Sequence, residues 1–243
     1  GGILRKIVGI HSCRAALEAR SSEELQKIYF RPGWQSHFYL KELGELAVKK
    51  GLVPEILSIK KLNLLSENHQ GVAVYAKGRP PWNWNRLSEK SVVLVLEGVE
   101  DPKNLGAVIR TAWLMGVTGV FISRHHSAGL TPSALKAAAG GVEYVPVEMV
   151  NISHCLKQLK QRHFQIYGLD GHSSHCLWQE NFEGRSAFVL GGEKAGLKAL
   201  TKKICDKLLS IPQKETRASY NVSVSAAVVL SECFRQMSYT PPV

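Results

Sequence analysis

The chain of 243 residues has no long apolar run; its longest unbroken aliphatic stretch is Val92-Val93-Leu94-Val95-Leu96. A membrane-spanning helix needs about 20 consecutive apolar residues, so none is expected. Paired cysteines are also missing. Cys13, Cys155, Cys176, Cys205 and Cys233 are odd in number and include no Cys-x-x-Cys. That argues against a disulfide framework or zinc ribbon and for a reducing compartment. No Gly-x-Gly-x-x-Gly, no phosphate-binding loop ending in Lys-Ser/Thr and no Gly-x-Ser-x-Gly occurs, so nothing points to a dinucleotide, an NTP or a serine nucleophile elbow. The opening Gly-Gly-Ile-Leu-Arg-Lys has no signal-peptide pattern. Acidic residues are scarce, 20 against 31 Lys plus Arg, for a formal charge of +11. Such an excess suggests a polyanionic partner, nucleic acid before acidic membrane.

What is present reads as a folded α/β protein. Hydrophobic residues make up 44% and charged residues 21%, ordinary for a globular domain. Gly78-Arg79-Pro80-Pro81-Trp82-Asn83-Trp84-Asn85 lacks periodicity, and two consecutive prolines stop a helix or central strand. A domain over 1–78, a linker over 79–90 and a second domain over 91–243 are expected. The first 80 residues hold 13 basic and 7 acidic side chains, the denser share of the excess. In this block, helices over 12–20, 38–50 and 58–64 alternate with strands over 27–30, 54–57 and 71–76. The second block alternates more strongly. It has strands at 92–96, 117–122, 165–169, 186–190 and 208–211, and helices after 104, from Pro132 to about 139, over 153–162 and over 224–237. An all-apolar strand such as 92–96 belongs in a buried parallel sheet.

Ligands of parallel α/β sheets bind beyond the carboxyl ends of the strands. Three loops there carry polar residues. In Glu97 to Arg110, Asn104 is either functional or a cap for the next helix, and Arg110 either functional or a solvated arginine. Leu190-Gly191-Gly192-Glu193-Lys194-Ala195-Gly196-Leu197 is either a ligand loop or a tight turn. In Ile211-Pro212 and Ala218-Ser219-Tyr220-Asn221-Val222-Ser223, the polar residues serve a ligand or cap the closing helix. His172-Ser-Ser-His175-Cys176 lacks zinc spacing and nearby acidic support, so no metal is expected. His125-His126 reads as a surface pair facing RNA. Trp82 and Trp84 either stack on bases or pack at a domain interface.

Together these three loops, in this order, closely resemble the three motifs of the SpoU branch of the SPOUT methyltransferases. Val8-Gly9-Ile10-His11-Ser12 and Asn68-His69-Gln70-Gly71-Val72-Ala73 resemble the start and end of that family's substrate-binding domain, which is similar to the ribosomal protein L30e fold. The likeness covers almost the whole chain. It implies a parallel α/β sheet with a C-terminal trefoil knot and a homodimer formed through the knotted domains. It also implies S-adenosylmethionine-dependent methylation of an RNA ribose 2′-hydroxyl. Within the family the likeness is greatest to members that act on a guanosine of mitochondrial large-subunit ribosomal RNA. The mitochondrial matrix is therefore the expected compartment, with the cytoplasm as the alternative.

Carried over by position, Leu190, Gly191, Gly196, Ile211, Tyr220 and Asn221 hold the cofactor. Asn104, Arg110, Glu193, Ser219 and Asn221 are catalytic or face the substrate. Gly192 stands where the family usually has Asn, and Tyr220 where it usually has Leu. Lys27, Arg31, Lys49, Lys50, Lys60 and Lys61 are candidate RNA contacts, each equally a member of a solvated basic face. Three other readings stay open: a transfer RNA 2′-O-methyltransferase, a non-catalytic RNA-binding assembly factor of the same fold, and a nucleotide-dependent oxidoreductase.

Overall fold

A computed structural model describes residues 4–242. The chain forms two compact units, one of residues up to 80 together with 139–144, the other of 81–138 and 145 onward. The first unit contains β1 (Leu4–Val8), α1 (Ile10–Ala19), β2 (Leu25–Phe30), α2 (Phe38–Lys49), β3 (Pro54–Ile56), α3 (Ile59–Leu65) and β4 (Val72–Lys77). Its sheet runs β1-β4-β2-β3, antiparallel except for the β2–β3 pair. The helical spacing of Leu40, Leu43 and Ala47 sends all three into the core beside Leu17, Ile28 and Phe30. Trp34 stacks on Phe30 at 4.3 Å between centroids. Its ring also lies over Gly44, where a Cβ would come within 2.3 Å. Strand β1 is absent from the sequence expectation because only Ile7 of its five residues is buried.

Residues 139–144 join this unit through charge. Glu143, with 1% of its side chain exposed, accepts from Arg5 Nη2 at 2.5 and 2.9 Å. Tyr144 donates to Glu18 at 2.6 Å. The single boundary expected over 79–90 therefore misses a short excursion later in the chain.

The second unit contains β5 (Val92–Glu97), α4 (Pro102–Leu114), β6 (Gly119–Ser123), α5 (Pro132–Ala138), β7 (Val147–Val150), α6 (Ile152–Gln161), β8 (Gln165–Leu169), β9 (Ser186–Gly191), α7 (Ala199–Ile204), β10 (Lys207–Leu209) and α8 (Val222–Met237). The six strands run β10-β8-β9-β5-β6-β7, every pair parallel. Burial on both faces from Val93 to Leu96 accounts for the unbroken aliphatic run of β5. Helix α8 returns to pack on α4 and β9.

The expected linker is structured. Trp82 meets Phe121 edge-on at 4.9 Å, and Trp84 lies parallel to Phe121 at 6.1 Å with the Arg162 guanidinium 4.2 Å from its ring. Both tryptophans pack, partly buried, against the core of the second unit.

Removing Arg5 leaves the buried Glu143 carboxylate without its cation. Arg5→Ala is expected to cost about 3–5 kcal/mol, measured by urea denaturation followed by tryptophan fluorescence, with Arg5→Lys recovering part of the loss.

Candidate active site

The carboxyl end of β5 begins the site. Glu97, 5% exposed at the end of an otherwise apolar strand, accepts from Lys198 N at 2.8 Å and Thr201 Oγ1 at 2.6 Å. Its backbone carbonyl accepts from Gly192 N at 2.8 Å. One residue thus ties the end of β5 to the loop after β9 and to α7. Glu97 and Thr201 are absent from the sequence expectation, although a lone carboxylate closing an aliphatic strand is a legible signal.

The next turn is set by Asp101, whose side chain accepts from Lys103 N at 2.9 Å and caps α4, with Pro102 in the first turn. Asp101 takes the capping role that the sequence left open for Asn104. Asn104 is therefore available to point elsewhere. Its Nδ2 donates to Glu193 Oε1 at 3.2 Å, and its Oδ1 accepts from Asn221 Nδ2 at 3.0 Å. Asn221 Nδ2 also reaches Glu193 Oε1 at 3.1 Å, which closes a triangle across all three loops. Asn221 is at the same time the cap of α8, accepting at Oδ1 from Ser223 N at 2.8 Å and from Ser223 Oγ at 2.6 Å. The capping reading of Asn221 is seen directly, and its amide group is left free to join the other two loops.

The other two catalytic candidates stand apart from the triangle. Arg110 is exposed on α4, with no hydrogen bond or ion pair among the described residues. It lies six residues beyond Asn104, so the two side chains project about 120° apart around the helix axis. Glu193 Oε1 is engaged by the two asparagines. Ser219 is exposed outside the triangle, and Ser223 is the serine that meets Asn221.

The residues expected to hold a cofactor surround the ends of β9 and β10. Leu190 is buried at 2% exposure, so only its backbone is offered. A Cβ at Gly191 would come within 2.2 Å of the Gly196 backbone. At Gly192 it would lie 2.0 Å from Gly98 O, so this backbone path has no room for the family's usual Asn. Gly196 adopts φ +63°, and a Cβ there would meet nothing within 4 Å. Ile211 is partly buried, and Tyr220 is 43% exposed. Loops of bare backbone beside open space fit an adenosyl group gripped through main-chain atoms.

A neighbouring loop braces β10. Leu177 N donates to Ser210 O at 2.8 Å, and Ser210 N to His175 O at 3.0 Å. His175 Nε2 lies 2.7 Å from Glu180 Oε2, and Lys207 Nζ donates to Glu180 Oε1 at 3.0 Å. The acidic support that the sequence failed to show for His175 is thus Glu180, shared with Lys207. Burial pushes the Glu180 carboxyl up, but the hydrogen bonds and charges of His175 and Lys207 outweigh it and hold the group below its usual range.

Of the candidate RNA contacts, Lys49, Lys60 and Lys61 are exposed. Lys27 is exposed and lies 3.9 Å from Glu55. Lys50 donates to Arg20 O at 3.0 Å, and the Arg31 side chain covers Gly71. Those two are partly committed inside the first unit.

Comparison with known proteins accords with this geometry. Residues 91–231 match the SpoU rRNA Methylase family, and residues 6–82 match the domain described as RNA 2'-O ribose methyltransferase substrate binding. The chain belongs to the SpoU methylase family and is an S-adenosylmethionine-dependent RNA ribose 2′-O-methyltransferase. It is 34% identical to the 23S rRNA (guanosine-2'-O-)-methyltransferase RlmB of Escherichia coli strain K12, over 96% of this chain and 98% of that one. It is 32% identical to an uncharacterized tRNA/rRNA methyltransferase of Synechocystis, over 97% of this chain and 64% of that one. Among solved structures, AviRb from Streptomyces viridochromogenes with AdoMet has a TM-score of 0.80 at 19% identity, covering 96% of this chain and 90% of that one.

Two expectations follow. Asn221→Asp keeps the cap acceptor of α8 but loses both donors and sets a second carboxylate against Glu193. Its stability is expected to stay within about 1 kcal/mol, measured by thermal unfolding, while methyl transfer falls steeply. The depressed Glu180 pKa contributes stability above the ordinary glutamate value of about 4.3 and loses it as pH falls through the lower folded value. Acid unfolding monitored by circular dichroism is expected to shift to higher pH and to become less steep in Glu180→Gln.

Proposed function

We propose that the protein methylates the 2′-hydroxyl of a guanosine in large-subunit ribosomal RNA, acting as a homodimer. The observation that carries this reading is the Asn104–Glu193–Asn221 triangle, which joins the three motif loops through side-chain hydrogen bonds. Identity of 34% to a 23S rRNA (guanosine-2'-O-)-methyltransferase across 96% of the chain supports the substrate.

When bound, S-adenosylmethionine supplies an activated methyl group on a sulfonium. The chain's own task is to place the ribose hydroxyl in line with that methyl, an arrangement worth up to about 7–11 kcal/mol in model systems. Asn104, Asn221 and Glu193 offer donors and acceptors fixed relative to one another, and Ser219 lies just before Asn221. Arginine remains protonated at any working pH, so Arg110 serves as a phosphate grip that polarises the hydroxyl, not as the base. Its guanidinium, exposed and without a partner among the described residues, suits an RNA phosphate. Backbone groups of Leu190, Gly191, Gly196, Ile211 and Tyr220 hold the cofactor.

The first unit delivers RNA through Lys27, Arg31, Lys49, Lys50, Lys60 and Lys61. The homodimer is assigned to α4 and α8, where Leu114, Val224 and Phe234 are exposed apolar residues. The compartment is that of the ribosome served. We infer the mitochondrial matrix from the resemblance, with the cytoplasm as the alternative; the relatives named above are bacterial.

The deciding measurement is transfer of labelled methyl from S-adenosylmethionine to large-subunit ribosomal RNA and to transfer RNA. Transfer to ribosomal RNA alone is expected, with Arg110→Ala lowering kcat/KM by about 100-fold or more. Near-normal turnover by Arg110→Ala overturns its role, and transfer to transfer RNA alone overturns the substrate. RNA affinity is expected to fall steeply between about 50 and 200 mM salt.

A further inference from the structure

A cavity of about 890 Å³ opens beyond the carboxyl ends of β5, β6 and β7. Asn104, Glu193 and Gly196 form its wall on the side of the three motif loops, whereas Leu190, Gly191, Ile211 and Tyr220 are not part of its lining. It therefore overlaps the expected cofactor site at Gly196, in the loop after β9, and extends away from the rest of it. Its size is within the range of small-molecule sites, about 300–1,000 Å³.

The lining has the chemistry of a nucleobase site. Val99, Val150, Ile152 and Leu200 give apolar surface, suited to the faces of a flat ring. Glu97 is the buried charge in it. A carboxylate has about four acceptor positions. Lys198 N and Thr201 Oγ1 each take one, on different oxygens, which leaves acceptor capacity on both. Guanine presents N1–H and N2–H as adjacent donors on its Watson–Crick edge and so suits a carboxylate. Adenine presents an acceptor at N1 and does not. Arg124 and Lys194 line the same cavity with exposed side chains.

Resting on the enzymatic reading above, we propose that this cavity receives the guanine base of the target nucleotide, turned out of the RNA, with Glu97 reading its Watson–Crick edge. Arg124 and Lys194 hold the flanking phosphates. The assignment is geometrically coupled to the reaction. Base and ribose are directly bonded, and Asn104 and Glu193 belong both to the cavity wall and to the triangle, so a base seated here carries its ribose to those groups. Enzymes that act on one nucleotide commonly extrude it and read it by this edge.

The purine of the cofactor is the competing occupant, so the test separates the two. Binding of guanosine 5′-monophosphate and adenosine 5′-monophosphate is followed by protein-observed NMR, and binding of S-adenosylmethionine by calorimetry. The wild-type protein and Leu200→Trp, a substitution at an exposed position on the cavity wall, are compared. The guanosine nucleotide is expected to bind about tenfold more tightly than the adenosine nucleotide, the discrimination of one good bidentate pair. Leu200→Trp is expected to weaken it about tenfold while leaving S-adenosylmethionine affinity within about twofold and the melting temperature unchanged. Glu97→Gln is expected to narrow the guanosine preference to less than about threefold. Equal binding of the two nucleotides, an unchanged preference in Glu97→Gln, or loss of S-adenosylmethionine binding instead in Leu200→Trp overturns the proposal. If these arms behave as expected and the wild type transfers no methyl to RNA, the base pocket stands and the enzymatic reading falls.

Discussion

The second unit depends on one buried carboxylate. Glu97 fastens the middle of a six-stranded sheet to the loop that follows β9 and to the start of α7, through two side-chain acceptors and one backbone acceptor. Burying a charge is costly unless hydrogen bonds replace water, and here both oxygens are supplied by neutral donors. The loop after β9 carries Glu193 and the glycines beside the cofactor position. Its path is thus fixed from below by Glu97 and from the side by the backbone of Gly98. The absence of a side chain at Gly192 is a condition of that fit, because even a Cβ would collide with the Gly98 carbonyl.

On this base the site is assembled from groups of opposite tendency. Asn104 and Asn221 are both donors and acceptors, whereas Glu193 only accepts when ionised. A triangle of these three leaves few ways to arrange the hydrogen bonds, so each side chain is held by the other two. Arg110 has no such restraint. The fixed groups suit a small, well-defined target such as a ribose, and the unrestrained cation suits a phosphate whose position varies with RNA conformation.

The legible parts of the chain were those where local pattern and burial agree. The apolar run of β5, the Leu40–Leu43–Ala47 spacing of α2 and the first-turn proline of α5 each produce the element that the pattern implies. Strands β1 and β7 escaped because β1 buries one of its five residues and β7, at a sheet edge, buries none. Helix α7 has six residues, of which only Thr201 is buried, too little for an apolar stripe. The three motif loops were visible as a family likeness, and Asn104, Glu193 and Asn221 do meet. The contact of Ser223 with Asn221, and the capture of Glu193 by two asparagines, were not legible. Side-chain partners among adjacent polar residues depend on backbone direction, which composition and spacing do not encode. The joining of 139–144 to the first unit rests on the Arg5–Glu143 pair, 138 residues apart in sequence.

Asn221 links folding to chemistry in a way that bears on how this site drifts over evolutionary time. Its one acceptor oxygen starts α8, and its amide group ties the site together. A descendant that lost its substrate would still be selected to keep a residue able to begin that helix. Asn, Asp, Ser and Thr all meet that demand, but only Asn also supplies the amide. Persistence of a capping residue at 221 is therefore weak testimony of activity, whereas drift from Asn to Ser or Asp, with the helix intact, is the trace that relaxed catalytic selection would leave first.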